Sequence, residues 1–292
     1  MIEISEKKIK NFNMIGQRAT LGMVLFEIAK KMDDLMVCTA DVSTSAGLDR
    51  YRKTYPEKYI DVGISEQNLM GIATGLASEN YKVLTTTFAP FQTMRCLEQI
   101  KVNLGYMKHK VTMVGLASGL VLGTLGSTHC AIEDLSIMRS IPNITVISPA
   151  DCLEVAKAII AALNHHQSTY IRLTGSSNMP KVYSSDYNFI IGEPIEIIKG
   201  EDITIFATGT MVANAVEASK LLNDMNIFPS VVNVHTLKPI NKEKITQMIL
   251  NSKKIFTIEE HSIIGGLSST IAEINTTIKS NVTQSSIAIP NE

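Results

Sequence analysis

The chain has 292 residues, of which 45% are hydrophobic and 19% are charged, so its composition excludes a disordered or fibrous protein. Its 27 Lys and Arg residues balance 28 Asp and Glu residues, which indicates no basic surface of the kind that binds nucleic acid. Because the N-terminal segment is charged and no apolar run reaches about eighteen residues, we expect neither a signal peptide nor a membrane span, and therefore a cytoplasmic protein without a membrane partner.

The first half of the chain alternates between amphipathic segments and short apolar runs. Helical periodicity predicts helices at 20–31, 66–78, 93–104 and 151–164, and nearly continuous apolar runs predict strands at 35–40, 82–88, 110–116 and 144–149. This alternation is typical of an α/β domain in which helices cover both faces of a parallel sheet. We predict one such doubly wound domain over residues 1–180.

A polar stretch at 174–192, rich in turn-forming residues, marks the predicted domain boundary. Beyond it the pattern resumes, with strands expected within 201–209, 230–237 and 253–261 and helices at about 212–226, after Asn241 and after the Gly265-Gly266 pair. These elements predict a second, smaller doubly wound domain over residues 190–292.

Four cysteines are spread along the chain without the close pairs that bind zinc or exchange disulfides. We therefore expect reduced, mostly buried thiols, and no metal site is indicated. The near-zero net charge and a mean hydropathy of +0.13 provide little repulsion between copies, which favours an oligomer.

The segment 61–78 places Glu66 in the first turn of a helix that follows a glycine loop. A carboxylate there can simply complement the helix dipole. The helix itself is small and apolar, however, so we expect Glu66 to lie near a buried surface, where a carboxyl group can remain neutral and donate a hydrogen bond.

This segment resembles the pyrimidine-binding domain of transketolases and 1-deoxyxylulose-5-phosphate synthases, and the resemblance extends over nearly the whole chain. The run GISEQN at 63–68 is similar to the family's Gly-x-x-Glu helix start, whose glutamate hydrogen-bonds the aminopyrimidine of thiamine diphosphate. The resemblance implies that Glu66 binds this cofactor and is the catalytic group that promotes its deprotonation. It also implies that the second domain is the transketolase C-terminal domain.

The run TFAPFQTMR at 87–95 carries Phe88 and Phe91 at a spacing that is often found in a core. In the family this segment supplies aromatic rings that stack on the pyrimidine, so we interpret both as cofactor-binding. The family's third aromatic position is Met94, whose thioether can also pack against a ring.

Other candidate residues follow from the same resemblance. His129, after a glycine-rich loop, takes the position of a histidine that contacts substrate hydroxyls, and is expected to be catalytic and substrate-binding. Asp41 matches a position near the thiazolium of the cofactor, and Arg18 and Ser45 match positions that bind substrate phosphate. The neighbouring Glu133 and Asp134 are interpreted as a solvated first turn of a helix.

Three positions depart from the family pattern. Leu125 stands where the family has an acidic residue in the loop, Ala117 replaces a histidine, and Gly175 replaces an arginine. These changes predict that cofactor chemistry is kept and substrate recognition is altered, with a modified or nucleotide-activated sugar as one candidate substrate.

A diphosphate-binding Gly-Asp-Gly motif, which in the family helps to bind a divalent metal, is not found in the sequence. The resemblance therefore implies an N-terminal, diphosphate-binding partner subunit that provides most of the Mg²⁺ ligands, in a heterotetramer with two copies of each chain. In the C-terminal domain, His235, Glu260 and His261 are interpreted as structural.

Three functions are compatible with these features. The first is a two-subunit transketolase-like enzyme that transfers a two-carbon ketol unit from a ketose to an aldehyde or ketone. The second is the beta subunit of a 2-oxoacid dehydrogenase decarboxylase, although that family's loop has His-Ser-Gln where this chain has Thr128-His129-Cys130. The third is a noncatalytic regulatory subunit that has kept the fold.

Overall fold

The computed structural model describes residues 4–174 and 177–291, which form two sheets flanked by helices. The first sheet has seven strands, which are β1 (Leu35–Thr39), β2 (Tyr59–Asp61), β3 (Lys82–Phe88), β4 (Val111–Leu116), β5 (Ile144–Ile147), β6 (Ser168–Arg172) and β10 (Thr236–Lys238). Their order is β10-β5-β6-β4-β3-β1-β2; β1 to β6 run parallel to one another, whereas β10 is antiparallel to β5.

Helices cover both faces of this sheet, as predicted. One face packs against α1, α2 and α8, and the other packs against α4, α7 and an irregular helical segment. The helices are α1 (Glu6–Ile15), α2 (Gln17–Ile28), α3 (Asp49–Thr54), α4 (Glu66–Ser78), α5 (Ala89–Thr93), α6 (Leu97–Gln99), α7 (Asp134–Ser140) and α8 (Cys152–Asn164), with 3₁₀ turns at Pro56–Lys58 and Gly123–Leu125.

The helix expected at 93–104 is instead broken. Helix α5 ends at Thr93, α6 has only three residues, and Ile100–Tyr106 is a π-helix. The break contains Arg95, whose guanidinium contacts Glu66 at the start of α4. Helical periodicity could not reveal this interruption because it depends on a partner elsewhere in the chain.

The second sheet has five strands in the order β12-β11-β8-β9-β7, of which only β7 runs antiparallel to its neighbour. Helix α9 packs on one face, and α10 and α11 contribute to the core on the other. The strands are β7 (Ile195–Ile198), β8 (Ile203–Ala207), β9 (Ser230–Asn233), β11 (Lys254–Ser262) and β12 (Thr283–Ile289), and the helices are α9 (Met211–Asn223), α10 (Lys242–Leu250) and α11 (Leu267–Thr277).

The strand expected over 230–237 is divided between the two sheets. β9 ends at Asn233, and β10 pairs antiparallel with β5 of the first sheet. The intervening His235 is fully buried, and its carbonyl accepts a hydrogen bond from the backbone of Ser148. The two sheets are therefore joined by backbone pairing as well as by side-chain packing.

The parallel direction of β1 to β6 determines where the candidate site can lie. The carboxyl ends of parallel strands lie along one edge of a sheet, which is where α/β proteins bind ligands. Asp41 follows β1, Phe88 ends β3 and Ala117 follows β4. Three residues singled out from the sequence therefore lie along the same edge.

All four cysteines are free, as expected, and Cys38, Cys96 and Cys152 are buried. Burial raises the pKa of each of these three thiols to about 12, so they are protonated at neutral pH. Within 4–174 and 177–291, no helix has the length and apolar character needed to cross a membrane.

Candidate active site

Glu66 begins α4 and is buried, as the sequence predicted, with 3% of its surface exposed. Its Oε2 lies 2.7 Å from Nη1 of Arg95, forming an ion pair in which the carboxylate is almost fully enclosed and the guanidinium is partly exposed. Gln67, the next residue, donates from Nε2 to the carbonyl of Arg95. The first turn of α4 is thus tied to the break between α5 and α6.

Phe88, Phe91 and His129 form a ring cluster at the same edge of the sheet. The centroids of the two phenylalanines are 6.3 Å apart in an edge-to-face arrangement. The His129 ring lies 5.2 Å from Phe91 and 6.0 Å from Phe88, again edge to face. All three centroid distances are in the range of favourable ring pairs. Three residues predicted for one site are therefore in mutual contact.

Arg95 was missed by the sequence reasoning, although it links the carboxylate to the rings. Its guanidinium carbon lies 4.0 Å from the centroid of Phe91, a cation–π contact, while the same group pairs with Glu66. The adjacent Met94, expected to pack on the cofactor, is 42% exposed. The signal in the sequence that could have identified Arg95 was its presence in a run with two aromatic residues.

Asp41 lies at the end of β1 in the left-handed region, with φ of 55°. Its backbone N–H donates to Oδ1 of Asp61, which also accepts from the backbone of Gly63. Burial alone would raise the pKa of Asp61, but these N–H groups and the hydroxyls of Thr39 and Tyr59 lower it overall. Asp61 is therefore an ionised anchor that holds the turn carrying Asp41.

Arg18 and Ser45 line one open cleft of about 410 Å³, together with Ile15, Ala19, Thr44, Gly47 and Ser177. Among the described residues, no carboxylate forms an ion pair with Arg18. The cleft thus offers a guanidinium and three hydroxyls, and no carboxylate among its described lining residues, which is suitable chemistry for a bound anion. The structure brings these two predicted residues together.

His129 lies near the end of a loop, residues 119–131, whose first and last residues bond to each other as an isolated bridge. The Oγ1 of Thr128 is 3.1 Å from Nδ1 of His129, which leaves Nε2 as the ring nitrogen without this contact. Leu125 is 56% exposed on the same loop, whereas Ala117 is buried at φ 53°. Gly175 lies outside the described residues.

The interpretation of Asp134 as a solvated residue was wrong. It is fully buried, and both its oxygens accept from Nε of Arg172, while Oδ2 also accepts from the hydroxyl of Tyr170 at 2.7 Å. The charge of the buried Arg172 on β6 compensates for the burial of the carboxylate. Glu133 is exposed, as expected.

His235 and His261 are both buried, in agreement with a structural role. Burial lowers the pKa of His235 to about 4, and it also lowers the pKa of His261. Among the described residues, no group of three or more His, Cys, Asp or Glu side chains is arranged to hold a metal ion.

Comparison with known proteins identifies both halves of the chain. Residues 13–179 match the family described as "Transketolase, pyrimidine binding domain", and residues 195–291 match "Transketolase, C-terminal domain". Both matches agree with the resemblance found in the sequence.

Similar proteins include subunits of divided transketolases. The chain is 32% identical over 281 residues to one subunit of the apulose-4-phosphate transketolase of Phocaeicola vulgatus, covering 96% of this chain and 89% of that protein. It is 35% identical to a 6-deoxy-6-sulfo-D-fructose transketolase subunit of a Clostridium species, with coverage of 88% and 79%.

A solved structure described as "Split gene transketolase, inactive beta4 tetramer" superposes with a TM-score of 0.86. It is 34% identical, and the match covers 94% of this chain and 89% of that one. With both domain families matched and relatives above 30% identity along most of the chain, this protein belongs to the transketolase family, in which it combines a pyrimidine-binding domain with a transketolase C-terminal domain.

Proposed function

We propose that this chain is the pyrimidine-binding subunit of a two-subunit, thiamine-diphosphate-dependent transketolase-like enzyme. The enzyme transfers a two-carbon ketol unit from a ketose donor to an aldehyde or ketone acceptor. The observation that carries the proposal is the continuous line of contacts from the buried Glu66 through Arg95 and Phe91 to His129. It joins an acid, a ring platform and a proton-transfer group at the ligand-binding edge of a parallel sheet.

The residues present fit the aminopyrimidine end of thiamine diphosphate. A buried carboxyl group, Glu66, can hydrogen-bond a ring nitrogen, and the faces of Phe88 and Phe91 can pack against an aromatic ring. Met94 and Asp41 complete the proposed cofactor contacts. When bound, thiamine diphosphate supplies a stabilised carbon nucleophile and an electron sink for the cleavage of a carbon–carbon bond.

The chain's own groups have separate tasks in this proposal. Glu66 would hold and exchange a proton at the pyrimidine nitrogen through its carboxyl group, of which Oε2 contacts Arg95. His129 is half-buried, with Nδ1 contacting Thr128, so Nε2 can give or take a proton at a substrate hydroxyl. The rings of Phe88 and Phe91 border these groups with apolar surface, and a less polar surrounding strengthens a hydrogen bond.

The proposed substrates are anionic sugars that bind through Arg18 and Ser45. Support comes from the cleft, in which the Arg18 guanidinium has no carboxylate partner among the described residues. We further propose that one substrate is a modified or nucleotide-activated sugar, because Leu125, Ala117 and Gly175 replace polar or charged residues of the family. The names of two relatives, which specify apulose 4-phosphate and a 6-deoxy-6-sulfofructose, support the modified-sugar part.

The proposed partner is an N-terminal, diphosphate-binding subunit that provides most of the ligands of Mg²⁺. The proposed assembly is a heterotetramer with two copies of each chain. The description of the 34% identical structure as an inactive beta4 tetramer supports a requirement for a second kind of subunit. Free cysteines suit a reducing compartment, so we place the enzyme in the cytoplasm.

The test is a two-carbon transfer assay on this chain alone, on the partner alone and on the mixture, with Mg²⁺, thiamine diphosphate and a panel of acceptors. The partner would be a chain from the same genome that carries the Gly-Asp-Gly motif. Transfer only in the mixture is expected. Erythrose or ribose phosphate as the clearly best acceptor would refute the modified-sugar part. Carbon dioxide released from pyruvate would favour the 2-oxoacid decarboxylase, and no turnover would favour a regulatory subunit.

A further inference from the structure

The loop that carries His129 is attached to the C-terminal domain at its base. Gly119 and Ala131 exchange two backbone hydrogen bonds, of 2.8 and 3.1 Å, which close the base of the loop. The residue after the bridge, Leu120, donates its backbone N–H to Oε1 of Glu260 at 3.0 Å. Glu260 belongs to β11, so a side chain of the second domain contacts the loop of the first.

The carboxylate of Glu260 also contacts a residue of its own domain. Thr210, which precedes α9, places its hydroxyl 3.5 Å from Oε2 of Glu260. The backbone carbonyl of Glu260 accepts a 2.8 Å hydrogen bond from Nη2 of Arg172. The same nitrogen donates to the carbonyl of Ala131 at 3.1 Å. Glu260 therefore holds the start of the loop through Leu120, and Arg172 holds its end through Ala131.

Gly119, which has no Cβ, allows the carboxylate of Glu260 to lie close to the backbone of the loop. Its φ is +71°, and a Cβ atom at this position would lie 2.6 Å from the carboxyl carbon of Glu260. Real Cβ contacts are not that short, so any larger residue would displace the carboxylate or the loop. Two residues further along β11, Ser262 adds a backbone hydrogen bond to the carbonyl of Ile132.

We propose that Glu260 is a positioning residue that fixes the base of the 119–131 loop and thereby places His129 against Phe88 and Phe91. The inference rests on the proposed function, and it replaces the expectation that Glu260 has a purely structural role. The loop is largely exposed and contains one short 3₁₀ turn. The contacts at its base therefore determine how the loop is oriented. Catalytic groups that shift by about 1 Å can lose roughly 100-fold in rate, which makes such an anchor consequential.

The experiment compares Glu260→Ala and Glu260→Gln in the enzyme assembled with its partner, with Asp202→Ala as the control for loss of an acidic residue in the same domain. Hydrogen–deuterium exchange follows the amides of residues 119–131, and kinetics give kcat and KM. For Glu260→Ala we expect faster exchange at Leu120 and a fall in kcat of about 10- to 100-fold, with cofactor affinity changed less than about threefold. Glu260→Gln should largely restore both, because its amide oxygen can accept the same hydrogen bond.

Gly119→Ala provides a second route that keeps the carboxylate but displaces it, and it should reproduce the faster exchange. Unchanged exchange in both Glu260→Ala and Gly119→Ala would overturn the proposal, as would faster exchange without a loss of kcat. Equal impairment by Gln and Ala would show that the hydrogen bond is not the reason. If the wild-type mixture has no transfer activity, the proposed function is wrong. The hydrogen–deuterium exchange of the intact chain does not depend on that activity, so it tests the contact between Glu260 and the loop separately.

Discussion

Oε2 of Glu66 and Nη1 of Arg95 are 2.7 Å apart, and the two side chains differ sharply in exposure, 4% for the carboxylate and 43% for the guanidinium. Arg95 can therefore move towards solvent while Glu66 remains enclosed. Because the carboxylate is almost fully enclosed, loss of Arg95 alone would leave a buried charge without its partner and destabilise the fold. A ligand that hydrogen-bonds Glu66 in place of Arg95 would compensate for that loss.

Glu66→Gln should abolish most turnover while preserving the fold. The amide cannot exchange a proton as the carboxyl group does, and general acid–base groups contribute about 10²- to 10⁴-fold to rate, so we expect a loss of at least about 100-fold in kcat. Glu79→Gln, at the exposed end of the same helix, is the control and should retain wild-type kcat. Wild-type turnover in Glu66→Gln would contradict the role given to this residue.

Arg18→Met should weaken the binding of phosphorylated or otherwise anionic substrates. Loss of a charged hydrogen-bonding group removes about 1.5 to 3 kcal/mol of interaction, so we expect KM to rise about tenfold or more with a smaller change in kcat. Steady-state kinetics with a matched pair of phosphorylated and unphosphorylated acceptors measures the effect. Arg52→Met, which removes an arginine that pairs with Asp49, is the control. Equal effects on both acceptors would argue against an anion site at Arg18.

Arg172→Met should strongly destabilise the fold. Arg172 and Asp134 are both buried, and removing one partner of a buried pair costs about 3 to 5 kcal/mol because the other charge is left uncompensated. Urea unfolding measures the loss. The double variant Arg172→Met with Asp134→Leu should lose less than the sum of the single variants. Lys220→Ala, in an exposed pair, should cost less than about 1 kcal/mol.

His235 should make stability depend on pH. Burial lowers its pKa to about 4, so it stays neutral in the folded chain, while it takes up a proton in the unfolded chain near pH 6.5. As the pH falls from 7.5 to 5, the unfolded state binds more protons and the folded state loses about 2 kcal/mol through this group. The difference in unfolding free energy between the two pH values should shrink in His235→Gln. It should remain in His166→Gln, which replaces an exposed histidine.

Local patterns were sufficient for several elements and for one central feature of the site. The helix at 66–78 and the strand at 82–88 occur within the predicted limits because their periodicity is contained in the segments themselves. The burial of Glu66 followed from the apolar character of its helix. The resemblance brought Phe88, Phe91 and His129 to attention, and the structure places their rings in contact.

Features that depend on distant partners could not be read locally. Arg95 meets a carboxylate 29 positions earlier, and Asp134 is buried by an arginine 38 positions later. An acidic residue in the first turn of a helix indicates a solvated helix start only when no buried arginine or lysine faces its carboxylate. The pairing of β10 with β5 in the first sheet likewise depends on a distant strand, which no pattern in residues 230–237 specifies.

The central claim, a cofactor site shared between this chain and a diphosphate-binding subunit, is tested most directly by isothermal titration of thiamine diphosphate with Mg²⁺. The titration is made into this chain alone, into the partner alone and into their mixture, and is repeated with Glu66→Ala. We expect tight binding only in the mixture, and its weakening or a loss of turnover in Glu66→Ala. No binding by the mixture, or equally tight binding by one chain alone, would contradict a shared site.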